Sequence, residues 1–192
     1  MQTIIRGFSN LFQFSGRDTP SQFWPYAGLI LIVSFALMGT GVALAMQPIF
    51  EEVARAAQEN PESVRIESSP TSYSVQISPD SGFMPDFSPF FLTLGIGVAL
   101  VATLLAAAVS RRLHDRGITG FIGLIPLIFL TAGLFGMQRL MASFDSPDLD
   151  EGLFLLLFAN NVLYLASLAG LIILLILPGQ PKANRYGPAG AV

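Results

Sequence analysis

The chain has no cysteine, a single histidine, His114, and a single tryptophan, Trp24. Without thiols there are no disulfides and no thiolate metal sites, and one imidazole cannot build a multi-histidine metal centre within one chain. Charge is scarce as well. Charged residues make up 12% of the 192, against about 25% in an average soluble domain, too few to clothe a water-facing surface. No phosphate-binding glycine loop and no nucleophile context for serine occurs. The expectation is therefore of no catalytic residues, no cofactor and no nucleic-acid partner.

Apolar length is what the chain has in abundance. Hydrophobic residues make up 52%, gathered in four runs without Asp, Glu, Lys or Arg: Tyr26 to Met46, Pro89 to Val109, Phe121 to Met137 and Gly152 to Leu177. A helix rises about 1.5 Å per residue and the hydrocarbon core is about 30 Å thick, so about 20 residues cross it. Backbone groups in lipid must be paired internally, which leaves helices as the form. The third run reaches full length with Gln138 and a snorkelling Arg139; the fourth is long enough to tilt. The fold class expected is all-α: one polytopic membrane domain, a four-transmembrane-helix bundle with helices at about 26–46, 89–109, 121–139 and 152–177. Ala43-Leu44-Ala45 looks like a signal-peptidase site, but the residues before the first run and the length of that run argue against a cleaved leader.

Basic residues set the orientation. Arg6, Arg17, Arg111, Arg112, Arg116, Lys182 and Arg185 fall on one side of the bilayer, and Arg55, Arg65 and Arg139 on the other. The first set belongs inside, with both termini cytoplasmic. The acids agree: Asp18 and Asp115 lie on the first side and the other eleven on the second. The extracytoplasmic loop, 47–88, is accordingly acidic. Gln47 to Gln58 has the pattern of an amphipathic helix, either extending the first span or lying on the surface. Val64 and Ile66, then Tyr73, Val75 and Ile77, alternate with polar residues around Ser69-Pro70-Thr71-Ser72. A β-hairpin and a flexible acidic loop both fit.

Lipid gives helices no hydrophobic reason to associate, so small and polar residues must do it. Gly95, Ala99, Thr103 and Ala107 form a four-residue repeat on the second span, a face where another backbone can come close. Asn160 and Asn161 interrupt the fourth, and at least one is expected to face another helix. Pro126 either kinks the third span or lies near enough to its start to be tolerated.

Three segments read differently from ordinary loops: Phe14-Ser15-Gly16-Arg17 with Phe23-Trp24, Arg111-Arg112-Leu113-His114-Asp115-Arg116-Gly117 with Gly120-Phe121, and Pro178-Gly179 with Asn184-Arg185-Tyr186-Gly187-Pro188. Together they resemble the family called domain of unknown function 805, small bacterial inner-membrane proteins. Order and relative placement match at both ends and the centre, and the central segment is the most specific. Asp18-Thr19-Pro20 departs from the second basic residue often found there, Phe121 replaces the usual Trp, and the loop after the first span is enlarged. The resemblance implies a bacterial inner (plasma) membrane location and brings no established activity.

From the residues alone, Arg112, Asp115 and Arg116 fall at i, i+3 and i+4 on one helix face, with Arg111 and His114 on an adjoining one and Gly117 ending the helix. An acid between arginines orients their guanidinium groups. The candidate site is therefore a cytoplasmic-face ligand pocket or polar lock made of Arg17, Trp24, Arg111, Arg112, His114, Asp115, Arg116, Asn184, Arg185 and Tyr186. Its charge would come from Arg17, Arg112, Arg116 and Arg185, with His114 conferring sensitivity to pH near neutrality. The bland alternative makes the arginines topology anchors on lipid phosphates. As a function, binding of an anionic lipid headgroup or a membrane protein partner is expected over a small-solute transporter or transporter subunit, because the spans carry no ionisable residue.

Overall fold

The computed structural model describes residues 2–69, 71–78, 81–143 and 151–188. The protein is mostly helical, and four of its helices are long and apolar enough to cross a membrane. A short helix, α1 (Gln2–Ser9), precedes the first of these, α2 (Pro20–Glu59). Two strands, β1 (Val64–Ser69) and β2 (Ser72–Ile77), follow, and then α3 (Ser88–Asp115), α4 (Leu124–Ser143) and α5 (Glu151–Ile176). The middles of the long helices turn large apolar side chains outward. Phe35 is 83% exposed and Ile32 72%, with Ile96, Ile128 and Leu156 similarly placed. Water would not tolerate so continuous an apolar girdle, but lipid requires it. This is a multi-pass membrane protein.

Helix α2 starts where sequence signals start it. Thr19 and Gln22 form a capping box and Pro20 occupies the first turn, the position where a missing N–H costs least. It then runs for 40 residues, about 60 Å and roughly twice the hydrocarbon thickness. The amphipathic segment after Met46 therefore extends the first span and projects beyond it. Ile49 and Val53 on that projection are buried, as is Val64 of β1. The strands pair antiparallel with Val64 opposite Ile77 and Ser69 opposite Ser72.

Two helix pairs make up the membrane part. Helix α2 packs along α3, with Gly41 against Thr93, Gly97 against Met38, and the Tyr26 hydroxyl donating to the Leu104 carbonyl at 2.8 Å. Helix α4 packs along α5 through Gly133, which meets the Asn160 amide, and Gly136, which meets Leu157. Asn160 is the inward-facing amide. It donates to the Phe129 carbonyl at 2.9 Å, whereas Asn161 is exposed. The two pairs join near one end, where a 3-10 turn (Gly120–Gly123) leads into α4 and sets Gly120 against Ser110 and Gly123 against Val109. Pro126 sits in the first turn of α4, so no hydrogen bond within the helix is lost.

The small-residue face expected on α3 is used differently from its sequence reading. Ala107 is buried near the junction, but a side chain at Gly95 would meet nothing within 4 Å, and Thr103 is exposed with its hydroxyl turned back to the Ala99 carbonyl. Close approach by α2 falls on the neighbouring face instead, where Gly41 and Gly97 already provide it. The apolar core lies at the same end as the junction. Phe23, Tyr26, Ala27, Ile30, Ala108, Leu113, Leu171 and Leu175 pack together there, drawing α2, α3 and α5 into one cluster.

Candidate functional site: an arginine–aspartate lock at the helix ends

Immediately beyond this core the last turn of α3 carries Arg111, Arg112 and Asp115, all buried, and the segment before α2 carries Arg17 and Asp18, buried too. Burying an ion costs several kcal/mol unless it is paired and its remaining hydrogen bonds are filled. Here they are. Asp115 takes Arg17 at 2.9 Å on one carboxylate oxygen and Arg112 at 2.5 Å on the other. Asp18 takes Arg111 at 2.7 Å and Arg6 at 3.0 Å. No buried side-chain nitrogen or oxygen among the described residues lacks a partner.

The arginine donors left over close chain ends. The last carbonyls of a helix have no partner within it, and a cation there also complements the helix dipole. Arg112 donates to the Leu175 carbonyl at 3.0 Å and the Leu177 carbonyl at 2.5 Å, closing α5. Arg111 donates to the Asn10 carbonyl at 2.8 Å and to that of Gln13, closing the run after α1. Arg17 reaches the Gln180 carbonyl at 2.5 Å and that of Lys182 at 2.9 Å, holding the tail. Arg116, at the C-cap of α3, donates to the Pro178 carbonyl at 2.8 Å.

The tail folds back over the end of α3. Gln180 donates its backbone N–H to the Asp115 carbonyl at 2.9 Å. Gly179 lies directly on the Asp115 carboxylate, where a side chain would collide with it. Gly117 adopts φ 76° and ends α3, a conformation glycine reaches without strain. The Asn184 side chain donates to the His114 carbonyl at 3.0 Å and accepts the Tyr186 N–H at 2.9 Å. That turn lays the Tyr186 ring on His114, with centroids 3.8 Å apart and planes within 7°. Arg185 covers the Tyr186 ring at 4.7 Å. His114 Nδ1 lies 3.3 Å from the Gly16 carbonyl and Nε2 3.5 Å from the Ser110 hydroxyl.

The three motif segments thus meet, and nine of the ten sequence-selected residues share one network. Trp24 stands outside it, edge-on to Phe23 at 5.1 Å and packed against the apolar core. Two assignments need correcting. Arg17 and Arg112 were expected to offer charge to a ligand, but both are buried with their donors consumed by the chain. Asp18, which looked like a departure from a basic residue, is the second carboxylate of the lock. Its signal was in the arithmetic: three closely packed arginines need more than one acid, and Asp18 follows Arg17 directly. Arg6 and Gln180 gave no such signal, because each acts only through α1 or the folded tail; Gly179 stood out within the Pro178-Gly179 motif, but its packing on Asp115 was not visible there. A cavity of about 10 Å³ lies between Arg6, Asp18, Tyr26 and Arg111, enough for about one water. The lock is filled by the chain itself.

The fold and this site define a four-span membrane protein whose helix ends and both terminal segments are clamped together by buried ion pairs. The match extends to the family level. The model for the family described as Protein of unknown function (DUF805) covers residues 11–188, and the chain belongs to that family. No curated protein and no solved structure matches.

Proposed function

We propose that the protein is a non-catalytic binding protein of the bacterial inner membrane that recognises anionic phospholipid headgroups on the cytoplasmic side. In this reading the lock is the scaffold and its rim is the contact surface. One observation carries it. The motif-bearing end holds seven basic residues and only two acids, Asp18 and Asp115, and both acids are buried in the lock. Among the described residues, Arg116, Lys182 and Arg185 at the rim have no carboxylate paired with them. Unbalanced cations at a membrane surface suit anionic headgroups, and the excess of basic residues at this end supports its placement inside. An acidic segment of a membrane protein partner would meet the same surface.

The transporter alternative has less to support it. Asn160, the inward-facing amide of α5, is committed to the Phe129 carbonyl, and the cleft between α3 and α4 is lined mostly by apolar side chains. The test is lipid analysis of the purified protein. Lys182→Ala combined with Arg185→Ala is expected to lower co-purified phosphatidylglycerol and cardiolipin several-fold, with insertion and melting unchanged. An unaltered anionic lipid content would refute the reading.

A further inference from the structure

Beyond the junction at Gly120 and Gly123, α3 and α4 part and leave a cleft of about 330 Å³ between them. It faces the membrane and lies apart from the arginine lock. Along α4 it runs from Leu127 to Gln138, roughly 16 Å at the helical rise, or about half the hydrocarbon thickness. The α3 wall, which also carries Phe91 and Val98, is low at Gly95, Ala99 and Ala102; the α4 wall is Leu127, Leu134 and Phe135.

We propose that this cleft binds one acyl chain of a membrane phospholipid, with the polar end of the lipid at Gln138. Several considerations lead there. An empty apolar gap forfeits the dispersion contacts of its lining. Water is a poor occupant, because it needs two to four polar partners. The Thr131 hydroxyl in the wall donates to carbonyls of its own helix, those of Leu127 and Ile128, at 2.9 Å. A transmembrane helix is too wide to enter the cleft. Its cylinder, about 10 Å across, could lay only a ridge of side chains into the opening, and the dimer this would give is one of the outcomes tested below. A hydrocarbon chain fits in size and chemistry: apolar protein cavities of about 150 Å³ already take up benzene, and this one is about twice that. Gln138 is exposed at the end of the cleft farther from the lock. With Arg139 beside it, it offers polar contacts where an ester or phosphate would lie. The bilayer delivers such chains directly to the open side.

The proposal is independent of the cytoplasmic-rim reading, since it places no demand on headgroup charge. The experiment uses the full chain with Trp24→Phe, so that an introduced tryptophan is the only one. Phe135 lies at the open side of the cleft and is 74% exposed, so Phe135→Trp reports on the cleft once bulk lipid has been diluted away; Phe154→Trp, on exposed α5 surface, reports on bulk lipid alone. Both are reconstituted with phosphatidylcholine brominated on its acyl chains and then diluted into lipid-free detergent. Quenching should persist in the Phe135→Trp protein after it has been lost from the Phe154→Trp protein. Adding Gly95→Leu, which fills the cleft, should abolish the persistent quenching and remove one phospholipid per chain from the native mass spectrum. Equal loss of quenching at both positions, or quenching and stoichiometry indifferent to Gly95→Leu, would overturn it. So would protection of the Phe135→Trp site by a second copy, seen as a dimer mass without lipid. Should Gly95→Leu misfold, the comparison of the two tryptophan positions decides the matter alone.

Discussion

Asp115 holds Arg17 at 2.9 Å although 98 residues separate them, and each side chain is buried. The same carboxylate holds Arg112 on its other oxygen. Removing it strands two guanidinium groups in a site that water does not reach. Breaking a buried pair by deleting one partner costs about 3–5 kcal/mol. Asp115→Leu is therefore expected to lower stability by that order, read as unfolding in mixed micelles. It should also free the tail, so that trypsin cuts at Lys182 and Arg185 in folded protein. A variant with wild-type unfolding and an uncut tail would show that the pair is not what holds these ends.

Arg112 makes a narrower case. Its donors serve the Asp115 carboxylate and the carbonyls of Leu175 and Leu177, with the Asp18 carbonyl at 3.5 Å. A lysine keeps the charge but has one nitrogen on a flexible stem and lacks the planar fork. Arg112→Lys is expected to lose most of what Arg112→Met loses, about 2 kcal/mol or more for a buried charged group left partly unpaired. If Arg112→Lys melts with the wild type, charge alone suffices and closure of the α5 carbonyls contributes nothing.

The four spans were legible in the sequence because lipid demands the same thing of every residue facing it, a long uncharged run. The ends of those spans were less so. Pattern alone left the Gln47 to Gln58 helix either on the surface or continuous with the first span, and packing of Ile49 and Val53 chose continuity. The third span was read from Phe121, whereas a 3-10 turn fills Gly120–Gly123 before α4 begins. The meeting of the three motifs followed from each abutting one side of the bundle. The division of labour among the arginines did not, because sequence cannot tell a cation that caps a carbonyl from one that faces a ligand. Arg17 and Arg185 look alike in the chain, yet one is buried and the other exposed.

Orientation is tested with thiols, since the chain has no cysteine of its own. Ser69→Cys is expected to react on intact cells with a reagent that does not cross the membrane. Thr119→Cys and Ala183→Cys should react only after permeabilisation if the excess of basic residues in their segments places them inside, as proposed. The reverse pattern would refute the proposed orientation and with it the cytoplasmic placement of the lock.

The paired amides of α5 make contrasting predictions from adjacent positions. Asn160 donates to the Phe129 carbonyl across the α4–α5 interface, and Asn161 is exposed. Asn160→Leu should destabilise the protein by about 0.6–2 kcal/mol, the range for such contacts in membranes. Asn161→Leu should leave melting unchanged or raise it slightly. Equal effects at the two positions would mean that the Asn160 contact carries no stability.

Gly179 gives the sharpest steric test of the lock. A side-chain carbon placed there would lie 2.5 Å from Cγ of Asp115 and 2.9 Å from its Oδ1, closer than such atoms pack. Its backbone is not in the left-handed region, so the obstacle is space and not conformation. Gly179→Ala must therefore move either the tail or the carboxylate, and the carboxylate is fixed by Arg17 and Arg112. Overpacking of this kind costs about 1–3 kcal/mol. Gly170→Ala is the control: it meets nothing within 4 Å, and alanine favours a helix interior by about 0.5–1 kcal/mol over glycine. The first change should lower the melting temperature in detergent and speed tryptic cleavage at Lys182, while the second lowers nothing. If Gly179→Ala matched Gly170→Ala in both measurements, the tail would not be packed on Asp115, and the arginines would be closing the helix ends without it.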